Sequence, residues 1–232
     1  MRDESVSPSS SPCLLGENPS DIAWLESASD RHALINGLSH CFGMHSIDSG
    51  ETREARLLTQ LGSLFRKVRV EPEAALEAQG RPGQNVYMVQ YGVLRLGREA
   101  PAGRMTIYHF FSEGDLVCPV FGRNGTLANT FHLVSVTPAT LWVADFSCFK
   151  AAVKEQDAGA WEKFALVRTE KQAELANPKA FRGQTMSARE RYQVLVEGYP
   201  ELAKRVPDSQ LASWLGIAVA TFLRLKRPVV RR

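Results

Sequence analysis

The chain has 232 residues and no run of about 18 apolar residues, which argues against a membrane-spanning helix. Met1 is followed by Arg2, Asp3 and Glu4 with no apolar stretch behind them, so no secretory signal is read and a cytoplasmic location is expected. Cysteine is scarce: Cys13, Cys41, Cys118 and Cys148, none in a CxxC pair. That spacing suits reduced thiols better than a disulfide framework, and it builds neither a zinc site nor a compact iron–sulfur cluster. No GxGxxG opens a helix, and neither a P-loop nor HExxH occurs. No nucleophile–base pair stands out either. The sequence therefore predicts no enzyme, no metal and no cofactor. Haem is disfavoured for the same reason, since a histidine in an apolar strand such as Tyr108-His109-Phe110 is more often a core residue than a ligand.

Charge is present but unevenly placed. Residues 179–232 hold 11 Lys and Arg against 4 Asp and Glu, and the rest of the chain is mildly acidic. A basic terminal segment on an acidic body is what contact with phosphates requires. A merely solvated basic tail is the plain alternative.

Residues 1–50 read as a disordered or irregular segment. The first twenty are rich in Ser and Pro, and Gly37, Gly43 and Gly50 interrupt the remainder. From Glu51 to Lys67, Leu57, Leu58, Leu61, Leu64 and Phe65 recur at helical spacing. Val68 to Phe146 then shows short alternating runs separated by turn signals, the pattern of an antiparallel barrel or sandwich. Residues 51–147 are thus expected to form a β-roll domain. Residues 148–178 return to helical composition, with Trp161, Phe164, Ala165, Arg168, Gln172 and Leu175 near an a/d seam. Trp161, Phe164, Arg168 and Leu175 are read as the face of a dimer helix, with packing on the chain's own roll as the alternative. Pro178 and Gly183 suggest a hinge. Residues 179–232 form a last, all-helical unit, and the fold class is α+β.

Within that unit, 205–227 reads as two short helices about a tight turn. Asp208 or Ser209 can cap the first, and Leu211, Ala212 and Leu215 give it an apolar face. Gly216 stands where a helix end needs positive φ, and Ile217 plugs the turn. Val219 to Arg227 restarts a helix with Phe222, Leu223 and Leu225 inside and Arg224, Lys226 and Arg227 outside. This is the layout of a helix-turn-helix, whose second helix enters the DNA major groove. An ordinary helical hairpin with a basic end is the alternative.

The order of these pieces resembles the Crp/Fnr superfamily of bacterial transcription regulators over roughly residues 50 to 232. Gly80, Val86-Tyr87-Met88-Val89 and Tyr91-Gly92-Val93-Leu94-Arg95-Leu96 resemble its first roll signature, and Phe110 to Val117 its "GD" turn. Ser187 to Tyr192 resembles the helix start before the DNA-binding motif, and Ala212 to Ile217 resembles "iAsyLGi". The resemblance implies a cyclic-nucleotide-binding-like roll, a connecting dimerisation helix and a helix-turn-helix. It implies a homodimer bound to double-stranded DNA. An activator of this kind would also touch RNA polymerase, and a sensing roll would take a small-molecule effector of unidentified chemistry.

The sequence departs from that family in three places. The positions that supply a glutamate for ribose and an arginine-serine pair for a cyclic phosphate fall near Phe121, Phe131 and His132, which cannot perform those roles, so control by cAMP is not expected. A filled roll, or a pocket for a less polar effector, would replace it. The base-reading positions match Val219, Ala220 and Arg224, with Thr221 beside them; Arg224 alone can grip guanine O6 and N7. Ser209, Lys226, Arg227, Arg231 and Arg232 suit the DNA backbone. The usual β-hairpin wing has no counterpart after Arg227, which motivates a second reading: a ligand-sensing or protein-interaction module with a degenerate DNA-binding domain.

Overall fold

A computed structural model describes residues 27–44, 52–81, 83–99, 105–118, 131–156 and 159–227, with the backbone alone at 172 and 175–178. Within these described residues two helices come first, α1 (Ala28–Cys41) and α2 (Arg53–Leu64). Eight strands come next: β1 (Arg66–Val70), β2 (Ala75–Glu77), β3 (Asn85–Tyr91), β4 (Leu94–Glu99), β5 (Met105–Phe111), β6 (Leu116–Val117), β7 (His132–Ser135) and β8 (Ala139–Asp145). Six helices complete the order: α3 (Phe146–Lys154), α4 (Ala160–Thr185), α5 (Ala188–Gly198), α6 (Pro200–Arg205), α7 (Asp208–Leu215) and α8 (Val219–Lys226). No described helix is long and apolar enough to cross a membrane.

The strands form two four-stranded antiparallel sheets, ordered β1-β8-β3-β6 and β2-β7-β4-β5. Alternation along each strand sends one set of side chains between the sheets. There Tyr87, Val89, Leu94, Phe111, Leu133, Leu141 and Val143 make a single apolar cluster. Gly92, at the β3–β4 turn, has φ +109°, and a Cβ there would meet the Ala139 Cβ at 2.5 Å. Glycine is required by both the turn and the neighbour.

The roll's opposite faces are covered by helices. Met88, Leu116, Trp142 and Ala144 pack with Leu57, Leu58 and Leu61 of α2, Phe149 and Val153 of α3, and Leu34 and Leu38 of α1. Residues 28–41 thus contradict the irregular segment read from sequence. Ser27 and Asp30 form a capping box that starts α1 before the glycines that suggested breaks. Asp30 is then tied to Lys67 at 2.8 Å and to Gln90 at 2.6 Å, while Arg31 donates to the Gly62 carbonyl at 2.7 Å and lies over the Trp142 ring. Glycine punctuation failed because tertiary burial outweighs the modest helix penalty of one residue such as Gly37.

The connecting segment also differs from its sequence reading. It is two helices, α3 and α4, and α4 runs without a break through Pro178 and Gly183 to Thr185. The hinge at those residues is not present. Trp161, Phe164 and Arg168 do not form an exposed seam. All three are buried within the chain itself, Trp161 and Phe164 in the cluster with Phe149 and Arg168 with its guanidinium donating to the Leu116 carbonyl. Among the described residues, the large exposed apolar side chains of α4 are Leu166, Val167 and Phe181. The Leu175 side chain lies outside the described residues. A heptad pattern marks a buried stripe but does not say which surface buries it.

Leu38 is fully buried. Leu38→Ala is expected to lower unfolding stability by about 2–5 kcal/mol in urea denaturation. A loss below about 1 kcal/mol would mean that α1 is not part of the cooperative core.

Candidate nucleic-acid interface

Helices α5 to α8 build a compact helix-turn-helix from local signals. Ser187 and Glu190 form a capping box at the start of α5. One residue on, Arg191 donates to the Leu215 carbonyl at 2.7 Å, holding the end of α7. Tyr192 meets Phe222 edge-on at 5.4 Å. Pro200 opens α6 where a missing N–H costs nothing. Gly216 ends α7 with φ +66°, and the Ile217 amide bonds back to the Ala212 carbonyl at 3.0 Å. That bond closes a Schellman turn, so the sequence reading of this residue holds. The cap reading does not. Pro207 occupies the N-cap position of α7 and no side chain caps the helix. Asp208 instead forms an ion pair with Lys226 at 2.6 Å, and Ser209 is exposed.

On α8, Phe222 is buried among Leu211, Ala212, Leu195 and Val206, and Leu225 is half-buried. The opposite face carries Val219, Ala220, Leu223 and Arg224, all exposed, with Thr221 at its margin. Leu223 was expected inside and is not. One turn of α8 cannot bury both 222 and 223 against α7, and the larger aromatic ring takes the core. Its exposure widens the apolar surface beside Arg224, a feature that the sequence pattern gave no means of assigning. Arg227 is exposed at the end of the helix, and Arg231 and Arg232 lie outside the described residues.

The motif is docked on the roll. Val93, Ile107, Phe110 and Val136 share one apolar cluster with Leu195, Leu211, Ala212 and Phe222. Among the described residues no further strand pairs with the edge of β5, and helices satisfy it. The Ile107 amide donates to Ser213 Oγ at 3.2 Å, and that hydroxyl donates to the Met105 carbonyl at 3.0 Å. Lys179 Nζ donates to the carbonyls of Ile107 and Tyr108, both at 2.8 Å. Burial, with Arg182 nearby, pulls the Lys179 amine down to about 8. Arg205 grips Glu113 with two bonds of 3.0 and 2.8 Å. Gln210 donates to Glu73 at 3.2 Å, and Arg95 holds that carboxylate from the other side at 2.6 Å.

The proposed roll-pocket residues are not gathered into a polar site. Phe131 meets Tyr108 edge-on at 4.6 Å, and His132 Nδ1 accepts from the Gln79 amide at 3.4 Å. Phe121 lies outside the described residues. A polar node that the sequence did not reveal sits nearby: Tyr87 donates to Glu77 at 3.0 Å, and burial raises the Glu77 carboxyl. A groove of about 370 Å³ lies outside the roll, between Phe42, Met44, Leu57, Val153 and Phe164. Among the described residues, Cys41, Cys118 and Cys148 all have raised thiols. Burial pushes the Cys118 thiol up to about 12, and Asp145 raises that of Cys148.

Burial opposes ionisation of Glu113, but the Arg205 hydrogen bonds and the Gly92 amide more than offset it and hold the carboxyl at about 2. A depressed carboxylate contributes its stability above the ordinary value of 4.5 and loses it as pH falls toward about 2. The stability gap between the parent chain and Glu113→Gln, measured by urea denaturation, is therefore expected to close across that window. A gap independent of pH would refute the ion pair.

No family model and no curated protein matches the sequence. Solved structures do match. FixK2 from Bradyrhizobium japonicum has a TM-score of 0.58 at 16% identity, covering 69% of this chain and 82% of that one. The c-di-GMP-responsive global regulator CLP from Xanthomonas campestris has 0.59 at 18%, over 74% and 89%. A regulator assigned to the crp/fnr family from Eubacterium rectale has 0.58 at 11%, over 73% and 80%. With its antiparallel roll, long α4 and terminal helix-turn-helix, this chain has the fold of the Crp/Fnr-type transcription regulators.

Proposed function

We propose that the chain is a sequence-specific DNA-binding transcription regulator that works as a homodimer and is not controlled by cAMP. The observation that carries this reading is the outward face of α8, where Arg224 stands between exposed Ala220 and Leu223 on a helix fixed by the Gly216 turn. Arg224 grips guanine O6 and N7. Val219, Ala220 and Leu223 meet thymine methyls, and Thr221 contacts a base edge or a phosphate. Ser209, Lys226 and Arg227, with Arg231 and Arg232, bind the backbone and set the register. Residues 179–232 are the DNA-binding unit, and 51–147 are a sensor or rigid platform.

Dimerisation is assigned to α4, through Leu166, Val167 and Phe181 rather than the residues named from sequence. Val167 and Phe181 are separated by four turns and so share a face. Two copies of α8 would then reach successive major grooves about 34 Å apart. The apolar filling of the roll supports the absence of cAMP control, because a buried cyclic phosphate needs a cation or several donors. An effector and a contact with RNA polymerase belong to the same reading; neither has a residue set assigned.

Selection from random duplexes at about 150 mM salt is expected to enrich one near-palindrome. Arg224→Ala should then lose about 1–3 kcal/mol of discrimination between that site and others. Salt-steep binding with no enriched sequence, or selectivity that survives the substitution, would favour a degenerate DNA-binding domain. Val167→Lys is expected to shift sedimentation from dimer to monomer. A dimer that persists would exclude this face of α4.

A further inference from the structure

We propose, on the basis of the DNA-binding reading above, that the outward face of α8 reads the methyl group on C5 of the pyrimidine preceding the guanine held by Arg224. The chain then accepts 5-methylcytosine and thymine alike at that position and rejects unmethylated cytosine. What points to this is the make-up of the face: one guanidinium, the apolar side chains of Val219, Ala220 and Leu223, and no carboxylate.

The surface follows from where these residues fall on the helix. In a helix-turn-helix the first residues of the second helix lie against the base edges. Here they are Ala218 at the N-cap, Val219 and Ala220, all exposed, and no side chain caps the helix. A residue four positions on returns to the same face, so Leu223 neighbours Val219 and Arg224 neighbours Ala220. Long helical side chains lean toward the preceding turn, and the single methyl of Ala220 leaves the Arg224 guanidinium room to reach the groove floor. Val219 and Leu223 are 44% and 42% exposed. One exposed apolar residue is ordinary on a protein surface. Two in line, one turn apart and joined by Ala220, make a continuous apolar strip beside a cation. The core needs none of it, since Phe222 already fills the space against α7.

Arg224 supplies the donors. Among the described residues none binds its guanidinium, whereas Lys226 is tied to Asp208 at 2.6 Å and Arg191 to the Leu215 carbonyl at 2.7 Å. Arg224 is therefore available for the bidentate contact to guanine O6 and N7. The rest of the face is defined by what α8 lacks. It has no Asp, Glu, Asn or Gln, so no carboxylate accepts from the cytosine N4 amine and no amide pairs with adenine. An apolar strip tells pyrimidines apart only at C5, which bears a methyl in thymine and 5-methylcytosine and a hydrogen in cytosine and uracil. In a pyrimidine–guanine step that methyl lies next to the guanine edge on the same strand. A guanidinium bound to the guanine covers one side of it, and Leu223 with Ala220 covers the other. Burying one methyl raises affinity about fourfold in a half-site, and about fifteenfold in a two-fold site.

The test uses the full chain and the operator that random-duplex selection returns. Four versions carry thymine, uracil, cytosine or 5-methylcytosine before the selected guanine in both half-sites, compared at about 150 mM salt. Thymine and uracil differ by one methyl, as do 5-methylcytosine and cytosine, and neither exchange alters the hydrogen-bonding edge of the base. Each methylated duplex is expected to bind about fifteenfold tighter than its unmethylated partner. Leu223→Ala changes an exposed side chain and leaves the cluster around Phe222 intact. It should cut both ratios by more than half and keep the preference for guanine. Equal binding of methylated and unmethylated duplexes would overturn the methyl reading and leave the DNA-binding reading standing. A selected operator with a purine before the guanine would do the same. Ratios unchanged in Leu223→Ala would also overturn it, because the methyl would then act through the shape of the duplex and not through this face. A selection that returns no operator would overturn the DNA-binding reading itself, and the proposal with it.

Discussion

The unpaired edge of β5 is the constraint around which this chain is arranged. A strand edge presents donors and acceptors that must be paired, covered or left to water. Here Ser213 and Lys179 cover it, and each comes from a different helix of the C-terminal half. The same residues that terminate the second sheet therefore position the helix-turn-helix. Phe110 extends the arrangement by pointing from the roll into the motif's own core, where it meets Trp214. The orientation of α8 is in this way tied to the geometry of the second sheet.

Much of this was legible in the sequence, for identifiable reasons. Short-range chemistry was read correctly at Gly216, where positive φ leaves few alternatives. The strands of the roll announced themselves by alternation and by turn glycines such as Gly92. Features that depend on a distant surface were not readable. Whether Trp161 and Phe164 face a partner or their own protomer is decided by Phe149 and Phe42, which no local pattern connects to them. α1 was missed because its stability comes from Asp30, Arg31 and Leu34 meeting residues some thirty to sixty positions away. The docking of α7 was invisible for the same reason, since Arg205 and Glu113 lie 92 residues apart.

Among the described residues, the space between the two sheets of the roll is apolar. Leu94, Phe111, Leu133 and Leu141 fill space between the sheets, and polar groups such as Glu77 with Tyr87 and His132 with Gln79 are occupied by one another or by backbone. Burial raises Glu77 and lowers His109, so both are pushed toward their neutral forms. An anion would find little to welcome it among these described residues. Charge is instead placed at the rim, in the pairs that join the roll to the helices.

Capping a sheet edge with a late segment also affects how the chain is made. Ile107 and its partner Ser213 are 106 residues apart, so β5 is synthesised well before the helix that covers it. At ordinary elongation rates the edge waits on the order of 5–20 s for α7. During that interval the nascent roll presents an open strand flanked by Phe110 and Phe111, the kind of template on which neighbouring chains pair. Substitutions that slow the folding of α5 to α8 would therefore be felt first as loss of yield, before any effect on the finished protein.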